Sequence, residues 1–115
     1  MMTACEVVVH HVFPTVRALI ARELIETHSL TQKEAALRMG LTQPAISQYR
    51  KQLRGSRVEN VRKNKEIMDK ILEISNALAN SEMTSQEATS HMCEICEFAK
   101  KGGVVDANVA YAACP

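Results

Sequence analysis

The chain has 115 residues, 46% of them hydrophobic and 23% charged, with two Tyr, two Phe and no Trp. That length supports one compact domain with a core of Leu, Ile, Val, Met and Ala, and so few rings exclude a stacking platform for single-stranded nucleic acid. The net charge is only +1 and the four cysteines are too few to staple a secreted mini-protein. No basic-then-apolar leader or bilayer-length apolar run is visible, so the expectation is a cytoplasmic protein with reduced thiols and no membrane partner.

In chain order, residues 1–13 form a first region. Its apolar, β-branched run (Val7, Val8, Val9, Val12) suits either a short strand or a helix leading into Pro14. From Pro14, Val16, Leu19, Ile20 and Leu24 recur at intervals of three and four, which predicts a helix to about Thr27. Thr31 with Glu34 forms a capping box for a second helix, whose Ala35, Ala36 and Met39 share one face before Gly40 stops it. Thr42 caps a third helix with Pro44 in its first turn and a stripe of Ile46, Tyr49 and Leu53, ending at Gly55. A long amphipathic helix is expected from Val58 or Asn60 to about Asn80, with Val58, Val61, Ile67, Met68, Ile71, Leu72, Ser75 and Leu78 as its pattern. Thr84 and Glu87 make another capping box, and Ala88, Met92, Ile95 and Ala99 continue a helix that carries Cys93 and Cys96 to Gly102. The sum is an all-α chain divided into 1–13, 14–57, 58–82 and 83–115 within one unit.

Charge is unevenly distributed. Residues 1–49 balance, whereas residues 50–65 hold Arg50, Lys51, Arg54, Arg57, Arg62, Lys63 and Lys65 against Glu59 alone, and the remainder is acidic. Concentrated positive charge attracts phosphate and releases counterions from nucleic acid, which the acidic remainder would repel. Arg62, Lys63 and Lys65 stand at the start of the expected long helix, where they oppose its dipole. Phosphate contact is one account of that misfit.

Residues 31–53 are two short helices joined at Gly40, Leu41 and Thr42, which is the helix-turn-helix arrangement. Ala36 provides the small side chain where the helices touch, Gly40 the positive φ, and Ile46 a β-branched residue beneath the second helix. Thr42, Gln43, Pro44, Ser47, Gln48 and Lys51 are left to face outward. Residues 30–49, LTQKEAALRMGLTQPAISQY, resemble the DNA-binding unit of Cro/repressor-type (XRE-type) transcriptional regulators. The resemblance implies that the helix from Gln43 to Gln52 enters the major groove of double-stranded DNA. Gln43 and Gln48 would then offer paired donor and acceptor to adenine, Ser47 a bond to base or phosphate, and Pro44 contact with a thymine methyl. Arg50, Lys51, Arg54 and Arg57 would meet phosphates. A helical hairpin that binds protein is the alternative.

Cys93 and Cys96 have metal-ligand spacing, and with Cys5 and Cys114 they supply four thiolates, enough for zinc or an iron-sulfur cluster that would tie both termini to one point. His91, His10 and His11 are alternative ligands. The pattern Cys5-Glu6-Val7-Val8-Val9, Pro14, Cys93-Glu94-Ile95-Cys96 and Cys114-Pro115 is similar to that of a group of archaeal helix-turn-helix regulators. That similarity implies iron-sulfur ligation, 4Fe–4S in preference, over zinc. A thioredoxin-like dithiol is poorly supported, since no βαβ setting is present and Glu94 and Glu97 would raise the thiol pKa values.

The expected function is a homodimeric, sequence-specific regulator of transcription whose cofactor senses redox or iron status, with the helix near residues 60–80 as the dimer surface. An interaction module or a regulator with structural zinc is the second class. No paired acid and base, phosphate loop or activated nucleophile is visible, so an enzyme is not expected.

Overall fold

A computed structural model describes the backbone of residues 4–53 and 56–102, and the side chains of 6–53 and 58–102. Its elements are helical: α1 (Ala4–Val7), a π-helical turn (Val8–Val12), α2 (Phe13–Glu26), α3 (Gln32–Met39), α4 (Gln43–Lys51), α5 (Ser56–Lys63), α6 (Lys65–Ala79), α7 (Ser85–Ser90) and α8 (Met92–Lys101). The all-α expectation holds for these residues. Among them, no helix is long and apolar enough to cross a membrane.

Residues 4–26 form one rod rather than a segment followed by a helix at Pro14. Val8, Val12 and Val16 are 0–2% exposed, a spacing of four that continues into Ile20 and Leu24 and selects helix over strand. Proline cannot donate a backbone hydrogen bond and its ring crowds the carbonyl four residues earlier. The turn before Pro14 widens accordingly, with the Phe13 N–H reaching the Val8 carbonyl, the π geometry that relieves such a position. The Thr15 hydroxyl donates to the His11 carbonyl at 3.3 Å.

This rod lies at the centre. It packs against α4 on one side and α6 on another, while its π turn touches α5 and α8. The main core joins Val8, Val12, Val16 and Leu24 to Ile67, Ile71, Ile74 and Leu78 of α6 and Ile95 and Ala99 of α8. Each fully buried Ile or Leu contributes about 1.5–3 kcal/mol relative to exposure.

The expected long helix is two helices. Asn64 leaves helical conformation (φ −83°, ψ 105°), and its side chain accepts from the Ile67 N–H at 3.0 Å, capping α6. The same side chain donates to the Phe98 carbonyl of α8 at 3.3 Å. Gly102 leaves room for it, because a Cβ there would push the Asn64 amide off this bond. The break also relieves the dipole misfit of Arg62 and Lys63, which fall in the last turn of α5, the favourable end for cations, and leaves Lys65 alone of the three at the start of α6. The second expected long helix breaks too, at His91. The Thr89 and Ser90 hydroxyls bond the Ser85 and Glu87 carbonyls at 3.0 and 2.6 Å, and such bonds compete with helix continuation.

Candidate nucleic-acid interface

The α3–turn–α4 unit is built from local signals. Thr31 caps α3 by accepting from the Glu34 N–H at 3.1 Å. The return bond that would complete a capping box is formed instead in the other predicted pair, where Glu87 accepts from the Thr84 N–H at 3.3 Å. Gly40 ends α3 at φ 67°, ψ 33°, with the Leu41 N–H on the Ala36 carbonyl at 2.8 Å and the Gly40 N–H on Leu37 at 3.3 Å. This is a Schellman end, which needs the left-handed residue that glycine supplies without penalty. Thr42 then caps α4 by accepting from the Ala45 N–H at 3.3 Å.

A small separate core clamps the unit to the rod. Ala21 of α2, Ala36 of α3 and Ile46 of α4 are buried together, flanked by Ile25, Met39 and Leu41. Tyr49 and Leu53, expected to share the stripe with Ile46, are only half-buried. On the opposite side Thr42, Gln43, Pro44, Gln48 and Lys51 are exposed, with Ser47 half-buried among them. The spacing of 44, 47, 48 and 51 puts these side chains on one helix face.

Arg50 is half-buried and turned toward α2. There Glu26 accepts from Arg22 at 2.9 Å, and this bond, with the charges of Arg22 and Arg50, holds its carboxyl below the usual value. Arg22, Glu26, Gln32, Ser47, Arg50 and Lys51 share one shallow cleft. Lys51 is the exposed cation of that group. Arg62 lies 3.6 Å from Glu59, while Lys63 and Lys65 are exposed. The side chains of Arg54 and Arg57 lie outside the described residues.

Sequence reasoning missed how the unit joins the second half of the chain. Arg38 donates to the Leu78 carbonyl at 3.3 Å and also to the Ser81 hydroxyl, while Gly40 abuts Ser85. These partners are forty or more residues away, and nothing local announces them. Leu37, on the outer face of α3, is 79% exposed. The α6 stripe offered as a dimer surface is mostly internal: Ile67, Ile71 and Leu78 are at most 1% exposed, Ile74 joins them, and Leu72 is 47% exposed.

Cys93 and Cys96 occupy α8, one exposed and the other buried. Burial pushes the Cys96 thiol up, Glu97 and Cys93 add to the effect, and Lys100 opposes it. Next to them Lys70 of α6 bonds Glu94 at 2.6 Å and Glu73 at 3.2 Å, and His91 Nδ1, buried without a hydrogen bond, stands 3.7 Å from Glu94. As a donor set for a cluster, the described residues supply two thiols one turn apart. No group of three His, Cys, Asp or Glu placed to hold a metal occurs among them. The Cys5 side chain and all of Cys114 lie outside the described residues, although α1, which carries Cys5, runs directly into the π turn packed on α8.

Comparison with protein-family models, with curated proteins and with solved structures finds no match for this chain.

Proposed function

We propose that this chain is a sequence-specific regulator of transcription that reads duplex DNA as a homodimer through α4. The observation that carries the reading is the division of α4 into two faces. Ile46 is fully buried against Ala21 and Ala36, and the same register leaves Gln43, Pro44, Gln48 and Lys51 in solvent beside the basic stretch. Two amides, a proline and a lysine are groups that reach base edges and phosphates. In the same proposal Cys93 and Cys96, with Cys5 and Cys114, hold an iron-sulfur cluster, which when bound would supply sensitivity to oxidants. The rod's contact with α8 supports bringing Cys5 toward that pair.

The test is selection of a preferred duplex from random sequence, followed by binding titrations at several salt concentrations. Affinity should fall steeply as salt rises. Gln48→Ala should lose about 1–3 kcal/mol of preference for the selected site while leaving random-sequence binding unchanged, and Lys51→Ala should weaken both and flatten the salt slope by about one. A chain with neither effect and no salt-dependent retention on duplex DNA overturns the reading. Iron and acid-labile sulfide analysis of anaerobically purified protein tests the cluster, and stoichiometric zinc in a colourless sample would replace it with a structural ion.

A further inference from the structure

A cavity of about 240 Å³ lies where the helix-turn-helix meets the second half of the chain. The Gly40–Leu41 turn and Ser85, Ala88 and Thr89 of α7 line it, and its reachable apolar surface comes from half-buried Met39, Leu41 and Ala88, with Ile74 and Leu78 closed off behind them. Arg17 of α2 also lines it. This guanidinium is half-buried and stacks 5.7 Å over the Phe13 ring, and it has no carboxylate partner among the described residues. The Ser85 hydroxyl makes no hydrogen bond among those residues either. One unpaired cation and one unpaired hydroxyl at an apolar hollow are the few polar groups that orient a small ligand.

We propose that this cavity binds a small monocarboxylate with an apolar body, its carboxylate on Arg17 and Ser85 and its chain against Met39, Leu41 and Ala88. A single guanidinium matches one negative charge, and a hydrogen bond to an ionised partner is stronger than a neutral one. The volume is below the range of drug-sized pockets. That size suits a short-chain acid. The site is independent of the DNA reading, and its test uses no DNA.

Hexanoate and its neutral isostere hexanamide are the probes, titrated by calorimetry and by amide chemical shifts on the full chain. Hexanoate should bind at least about tenfold more tightly than hexanamide. Arg17→Gln should erase that difference, and Thr89→Phe, which fills the mouth from an exposed position, should weaken both. In the unaltered chain hexanoate should shift Leu41, Ser85, Gln86 and Thr89. Equal affinity for the two probes, no binding, or shifts confined to Arg50, Lys51 and Arg62 would overturn the proposal, and the shift map decides even where a variant fails to fold.

Discussion

Gly40 ends α3 in the left-handed region, and the Ser85 hydroxyl fills the space its missing side chain would take, 2.8 Å from where a Cβ would stand. A residue chosen for the local turn is thus also the point where α7 rests on the α3–turn–α4 unit. Gly40→Ala should lower the unfolding free energy by about 2 kcal/mol, of which about 1–2 belongs to the left-handed backbone itself. Adding Ser85→Gly removes the contact and leaves the backbone cost, so denaturant melts of the double variant should recover only part of the loss. Full recovery would show that the turn tolerates a side chain.

Asn64 acts on two helices at once. Asn64→Ala should lower stability by about 1–2 kcal/mol, because the cap of α6 and the bond to Phe98 disappear together. Asn64→Ser keeps a capping oxygen but is too short to serve both partners, and its melting curve should fall between the other two. Equal losses for Ala and Ser would remove the cap from the account.

The Lys70–Glu94 bond ties α6 to α8 and makes stability depend on pH. The Lys70 bond holds the Glu94 carboxyl below its ordinary value of 4.5, so the folded state binds fewer protons than the unfolded state there. Its contribution is complete above 4.5 and is lost as pH falls through the lowered folded value. Lys70, raised above its ordinary 10.5 chiefly by the Glu94 bond, contributes below that value and loses the contribution as pH rises through the folded one. Glu94→Gln should therefore melt below the unaltered chain at neutral pH, and the gap should narrow below pH 4.5. A constant gap across the acid range would contradict the assignment.

The two thiols of α8 differ in environment and should differ in reactivity. In reduced, metal-stripped protein at neutral pH, iodoacetamide should label exposed Cys93 well before Cys96, whose burial both shields the sulfur and disfavours the thiolate. Peptide mass spectrometry over a time course reads the order. Equal rates would place Cys96 outside the core.

Much of this architecture was legible because its causes are local. Thr31, Gly40, Thr42 and Thr84 act on partners within five residues, so capping chemistry located both ends of α3 and the starts of α4 and α7. The expectation erred where an apolar pattern was carried across a gap. Between Val61 and Ile67 a continuous helix would need an apolar residue near 64 or 65, and Asn64 and Lys65 stand there instead. Within α6 the buried register is 67, 71, 74 and 78, with Ile74 in the core and Leu72 half in solvent. Asn64 capping one helix while bonding another, and Arg38 reaching Leu78 and Ser81, depend on tertiary proximity that spacing does not encode. For the candidate interface the exposed side of α4 followed from its period. The inward turn of Arg50 toward Glu26 did not.

The unbroken run from Ala4 to Glu26 makes the α3–turn–α4 unit inseparable from what precedes it. One helical axle lends Val8 and Val12 to the core around α8 at one end and Ala21 to the packing under α4 at the other. A chain shortened to begin at Pro14 would take Val8 and Val12 out of the core that α8 shares and remove the support through which the two ends of the fold share a single orientation.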